Sequence, residues 1–180
     1  GTGRTTNYTE SGVMWQTIIH GMFILSAIGI AYVDRLSNSP VIEDGAPRVE
    51  AAALALQSMP GMGSDFEQRS VLEAAAKTGI SLQDKDYLAV VETMTSDFER
   101  REALIALIRS TTPDLARSQN ILRSVRGMSS DFERSEVLKA LASAMPNDVA
   151  LIEDYRAVTR SMSDFERAQS EKALDRFYPG

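Results

Sequence analysis

Apolar residues in the second two-thirds of this chain recur at three- and four-residue spacing, which is typical of amphipathic α-helices. The same apolar pair follows three phenylalanines at the same distance, as Val71–Leu72, Ala103–Leu104 and Val137–Leu138. No segment alternates β-branched and polar residues as a half-buried strand would. The pattern therefore predicts an all-α fold.

A four-residue motif, Ser-Asp-Phe-Glu, stands at the start of the first predicted helix of each repeat. We call each copy a tetrad, and there are four: Ser64-Asp65-Phe66-Glu67, Ser96-Asp97-Phe98-Glu99, Ser130-Asp131-Phe132-Glu133 and Ser163-Asp164-Phe165-Glu166. Their aspartates, at positions 65, 97, 131 and 164, are 32, 34 and 33 residues apart. A period of this length is typical of helical repeat proteins, in which each unit buries its apolar face against its neighbours. Residues 47–180 are thus predicted to form a short α-solenoid of about four αα-hairpin repeats.

The tetrads predict helix starts at 64, 96, 130 and 163 by the chemistry of a capping box. In that motif the serine hydroxyl accepts from the backbone N–H of the glutamate, and the glutamate side chain reaches back to the serine N–H. The aspartate adds negative charge where the helix dipole favours it. Three tetrads are followed directly by an arginine that can pair with this aspartate, whereas in the first copy the arginine stands one place later, at Arg69.

Paired carboxylates can also perform acid–base chemistry or bind cations. Capping explains the same residues without a further assumption, so we interpret all sixteen tetrad residues as structural. The four phenylalanines are expected to be packing anchors between stacked helices rather than a ligand-binding ladder. After Phe165, the apolar pair is replaced by Ser170 and Glu171, which predicts the polar outer face of a terminal repeat.

The N-terminal part differs in charge from the repeats, because residues 13–33 carry no charged side chain. We predict a flexible leader over 1–12, a hydrophobic helix over 13–36 and a linker over 37–46. The uncharged stretch is long enough for a membrane span, which needs ~20 residues. Its internal polar residues and the lack of a clear positive-inside bias in its flanks favour burial or a homo-oligomer contact over membrane insertion or lipid binding. The candidate contact residues are Trp15, Ile18, Ile19, His20, Met22 and Phe23.

Composition narrows the functional classes. The chain of 180 residues has a formal charge of −6, contains no cysteine, and has His20 as its one histidine. Its negative charge argues against nucleic-acid binding. The missing thiols and imidazoles argue against zinc, thiol and histidine-triad chemistry. We therefore expect no enzyme activity, no metal and no cofactor.

The phrase Ser-Asp-Phe-Glu-Arg before an apolar helix resembles the Ser-Asp-Tyr/Phe-Glu-Arg repeats of bacterial membrane-associated regulators. These include segments appended to BlaR-type sensor metallopeptidases, and the resemblance covers roughly 61–180. It implies an extracytoplasmic or membrane-associated helical module, although a cytoplasmic location stays open. The peptidase motif His-Glu-x-x-His is absent, so no activity is implied. The expected function is a non-enzymatic interaction or sensing module for an unknown protein or peptide. The alternative is a structural oligomerisation domain that uses helix 13–33.

Overall fold

The computed structural model describes residues 63–77 and 84–179, and these residues are helical with no strand among them. There are seven helices in these ranges: α1 Asp65–Lys77, α2 Asp84–Thr93, α3 Asp97–Ser110, α4 Leu115–Arg126, α5 Asp131–Ala142, α6 Val149–Thr159 and α7 Asp164–Phe177. The all-α prediction is confirmed for this part of the chain. The predicted leader, hydrophobic helix and linker lie outside the described residues.

The helices form two layers. In one layer α1, α3, α5 and α7 pack side by side in that order, and in the other α2, α4 and α6 do the same. Each even-numbered helix also packs against the odd-numbered helix that follows it. The four tetrads consequently begin four neighbouring helices of one layer. Packed helices lie about 8–10 Å apart, so equivalent tetrad residues recur at about that interval.

The core lies between the two layers. The leucine of the repeated apolar pair is fully buried at Leu72, Leu104 and Leu138. The methionines that precede the last three tetrads are buried as well, and they are Met94, Met128 and Met162. Burial of such side chains contributes about 1.5–3 kcal/mol each, so this apolar seam is the main force that holds the layers together.

Two buried tyrosines join the layers by hydrogen bonds. The Tyr87 hydroxyl donates to the Ala103 carbonyl at 2.7 Å, and the Tyr155 hydroxyl donates to the Ser170 carbonyl at 2.9 Å. Burial raises the pKa of both phenols, chiefly because the charged form would lose its hydration. Both tyrosines therefore remain neutral donors at physiological pH.

The prediction that Ser170 lies on a polar outer face of α7 is wrong. This serine is fully buried, and its hydroxyl lies 3.0 Å from the hydroxyl of Ser135 on α5. Glu171 is half-buried and accepts a hydrogen bond from Thr159 at 3.0 Å. Ser170 and Glu171 thus pair with polar groups on neighbouring helices instead of facing water.

None of the helices in the described ranges is long and apolar enough to cross a membrane.

Candidate interaction surface at the tetrad edge

Each tetrad serine occupies the N-cap position of its helix. Its hydroxyl accepts a hydrogen bond from the backbone N–H of the tetrad glutamate, at 3.3 Å for Ser64, 3.3 Å for Ser96, 3.4 Å for Ser130 and 3.5 Å for Ser163. A cap of this kind contributes about 1 kcal/mol of helix stability. The helix starts are therefore determined locally by the serine.

The second half of the capping box forms only in the first tetrad, where the Ser64 N–H donates to Glu67 at 2.8 Å. In the other three tetrads the serine N–H donates to the aspartate of the preceding tetrad. The distances are 2.7 Å for Ser96 to Asp65, 2.7 Å for Ser130 to Asp97 and 2.8 Å for Ser163 to Asp131. The predicted reciprocal box is wrong for these three copies because the serine N–H is already bonded. We call this contact between repeats the aspartate bridge.

One carboxylate oxygen carries each aspartate bridge. Oδ2 of Asp65 accepts from the Ser96 N–H and also from the N–H and hydroxyl of Thr95, at 2.8 and 2.9 Å. Partial burial raises the pKa of Asp65, but these hydrogen bonds together outweigh it, so that the pKa lies below its usual value. Asp65 therefore holds the first two tetrads in register as an anion.

In the first three tetrads, the residue directly after the glutamate ties the tetrad to the end of an even-numbered helix. In the first repeat Gln68 accepts from the Thr93 hydroxyl at 3.2 Å. In the second, Arg100 donates to the carbonyls of Met94 and Gly127 at 2.8 and 3.0 Å. Helix C-terminal carbonyls carry partial negative charge, so a cation at this position is favourable.

Arg134 fills the same place in the third repeat. Its guanidinium is buried and bonds both the carboxylate of Asp131, at 3.0 Å, and the hydroxyl of Ser161, at 2.6 Å. The predicted pairing with the tetrad aspartate is thus present, and it is combined with a contact to the end of α6.

In the first two repeats, the position two residues after the tetrad glutamate carries another arginine, which makes different contacts. Arg101 lies with its guanidinium carbon 4.5 Å from the centre of the Phe98 ring and donates to Glu133 of the following tetrad at 2.7 Å. Arg69 lies 5.0 Å from the Phe66 ring and pairs in the same way with Glu99. Arg69 is therefore the counterpart of Arg101 and not a displaced copy of the arginine that follows the other tetrads. We call the space between a tetrad phenylalanine and the next tetrad's glutamate the guanidinium seat.

The expectation that the phenylalanines are packing anchors is wrong. Their exposed fractions are 57% for Phe66, 47% for Phe98, 56% for Phe132 and 69% for Phe165. The reason is angular. At about 100° per residue, the buried residues five, six and nine places later lie about 140–240° around the helix from the phenylalanine. The ring therefore points away from the core, and a row of four aromatic rings lies on the outside of one layer.

We call the end of the odd-numbered layer at which the four tetrads lie the tetrad edge. Within the described ranges there is no group of three or more histidine, cysteine, aspartate or glutamate side chains that could hold a metal ion. The tetrad carboxylates bond backbone N–H groups, hydroxyls or arginines. At the opposite end of α1 and α3 lies an open groove of about 510 Å³, lined by residues that include Glu73, Glu102 and Ile105.

No protein-family model, no curated protein and no solved structure matches this chain.

The six candidate contact residues between Trp15 and Phe23 lie outside the described residues and stay predictions. Sequence reasoning predicted that the tetrads begin helices but missed the guanidinium seats. The signal for them was present, since Arg69 and Arg101 both stand three residues after their phenylalanine.

Proposed function

We propose that this chain is a non-enzymatic interaction module, a short α-solenoid of αα-hairpin repeats that binds a protein or peptide along its tetrad edge. The observation that carries the proposal is the outward row of Phe66, Phe98, Phe132 and Phe165. Large apolar side chains grouped on a surface are typical of binding sites. Aromatic residues and arginine are also the residues most enriched at the centres of interfaces.

The repeat spacing supports an extended partner. Rings that recur about every 8–10 Å over three intervals span about 24–30 Å. An extended polypeptide rises about 3.3 Å per residue, so a segment of about eight residues would contact the whole row. Repeat arrays of this kind bind through long surfaces rather than through one deep pocket. The resemblance to membrane-associated regulators adds an extracytoplasmic or membrane-associated location to the proposal.

The experiment compares partner capture by the wild-type chain with capture by a variant carrying serine at all four tetrad phenylalanines. The control carries Leu115→Ser and Val149→Ser, because these exposed apolar residues begin α4 and α6 at the opposite end of the layers. Captured proteins are purified, and their affinities are measured by isothermal titration calorimetry. We expect the phenylalanine variant to lose at least one direct partner that the control keeps. If the phenylalanine variant bound every purified partner as tightly as wild type, the proposal would be wrong.

A further inference from the structure

The three interfaces between consecutive tetrads are not equivalent. At the first two, an arginine of the chain fills the guanidinium seat, namely Arg69 between Phe66 and Glu99, and Arg101 between Phe98 and Glu133. At the third interface the equivalent position is Ser135. The third seat therefore has its aromatic ring and its carboxylate, Phe132 and Glu166, but no guanidinium from its own repeat.

Ser135 cannot replace the missing arginine. Its side chain is short and buried, and its hydroxyl is hydrogen-bonded to Ser170 at 3.0 Å. Among the described residues, no arginine lies over the Phe132 ring and no basic side chain pairs with Glu166. The Glu166 carboxylate accepts instead from the hydroxyl of Ser163 in its own tetrad.

Neighbouring cations are already paired with other groups. Arg167 donates to Asp164 at 2.7 Å, and Lys139 pairs with Glu136 on α5. The comparison with Glu99 and Glu133, whose side chains are only 14% and 15% exposed under their arginines, shows what a filled seat looks like. Charge complementarity at the third seat consequently favours a cation that comes from outside this part of the chain.

From these contacts we infer that the third guanidinium seat, formed by Phe132 and Glu166, binds an arginine side chain of the partner polypeptide. The chain itself supplies two examples of the ligand in place, one with its guanidinium on Phe66 and one on Phe98. A guanidinium suits the seat because its plane stacks on an aromatic face while its N–H groups donate to a carboxylate. This inference rests on the proposed function and names one group of the partner.

The test uses the full chain labelled with ¹⁵N and a blocked tripeptide, acetyl-Gly-Arg-Gly-amide. Its matched control carries citrulline in place of arginine, which has nearly the same shape but no charge. We expect the arginine peptide to shift the amide signals around Phe132 and Glu166 in a saturable way. We expect the citrulline peptide to bind at least ~10-fold more weakly, because both the cation–π and the charge-assisted contacts are lost.

Two variants locate the binding. Glu166→Gln should weaken the arginine peptide by ~10-fold, whereas Glu153→Gln, an exposed carboxylate on α6, should leave it unchanged. Ser135→Arg should fill the seat from within and abolish the response. Should that variant fail to fold, Phe132→Leu takes its place, since an exposed ring can be changed without loss of the core.

The absence of any arginine response would overturn the inference, and so would three other results. One is equal binding of the arginine and citrulline peptides, and another is an arginine response that Glu166→Gln leaves intact. The third is a dimer in analytical ultracentrifugation that Glu166→Gln dissociates, because the seat would then bind a second copy of this chain. If no arginine binds the seat while the variant with four serines still loses its partner, this inference fails and the proposed function stands. If the arginine peptide binds but the variant with four serines keeps every partner of the wild type, the seat is supported and the proposed function fails.

Discussion

The aspartate bridge predicts that two aspartates in the same place of the repeat differ in their contribution to stability. Oδ2 of Asp97 accepts the backbone N–H groups of Ser129 and Ser130, both at 2.7 Å. Asp164 stands at the same place of the last tetrad, yet its side chain is 93% exposed and its carboxylate pairs only with Arg167. Asp97→Ala and Asp164→Ala both remove a negative charge from the first turn of a helix. Only Asp97→Ala also removes an aspartate bridge.

The magnitude follows from the contacts. Hydrogen bonds to a charged acceptor contribute about 1.5–3 kcal/mol where both groups are buried. Because Ser129 is exposed and Ser130 is half-buried, water recovers part of this energy, and we assign about 1 kcal/mol to each bond. Asp97→Ala should therefore lower the free energy of unfolding by about 2 kcal/mol, which corresponds to about 4–8 °C in Tm for a chain of this length. Asp164→Ala should cost less than about 0.5 kcal/mol, the usual worth of an exposed helical ion pair.

The assay is urea unfolding of the two variants and wild type, followed by circular dichroism at 222 nm. Asp97→Asn serves as an intermediate case, because its amide oxygen still accepts the two N–H groups without a charge, and about 1 kcal/mol should be lost. Equal destabilisation by Asp97→Ala and Asp164→Ala would refute the reasoning. It would show that the aspartates act on their own helices, as first-turn charges do, and not between repeats.

Three further predictions concern the core, the edge and the response to pH. Tyr87→Phe should cost about 1 kcal/mol in urea unfolding, because the Ala103 carbonyl loses its buried donor; an unchanged midpoint would contradict the bond. Phe98→Ser should cost about 0.5–1 kcal/mol, because its contact with Arg101 is lost, whereas Leu104→Ala should cost about 3 kcal/mol in the same assay; equal losses would mean that the ring is buried. The stability difference between wild type and Asp65→Ala should be full at pH 7, where the carboxylate is ionised in both states. The pKa of Asp65 is lower in the folded state than in the unfolded chain, so this difference in stability should shrink as the pH falls from the unfolded-state pKa through the folded-state pKa. A stability difference that is independent of pH would count against the aspartate bridge.

The helix starts of this fold could be predicted from the sequence because capping is local. A serine three residues before a glutamate determines its own hydrogen bond, whatever the chain does elsewhere. All four odd-numbered helices accordingly begin one residue after their tetrad serine. The outward direction of the phenylalanines could also be predicted from the sequence. Their apolar character suggests burial, but the helical angle between Phe66 and the pair Val71 and Leu72 places Phe66 on the opposite side of its helix, and the other copies repeat this spacing.

The contacts between tetrads could not be predicted in the same way. Whether the N–H of Ser130 is bonded by Glu133 or by Asp97 depends on how closely α3 and α5 pack, and no local pattern contains that distance. The burial of Ser170 has the same origin, because a serine on α5 and a tyrosine on α6 both reach it. Interactions between repeats therefore decided which half of each capping box forms and which polar residues are buried.

Exposure of the four tetrad phenylalanines in the full chain of 180 residues is the central claim, since both the proposed function and the guanidinium seat depend on it. Hydroxyl-radical footprinting with mass spectrometry measures it directly. We predict that Phe66, Phe132 and Phe165 are oxidised rapidly and Phe98, the least exposed of the four rings, somewhat more slowly, while the buried leucines of the repeated apolar pair are protected. Protection of all four rings in the unbound chain, to the level of the buried leucines, would contradict the account.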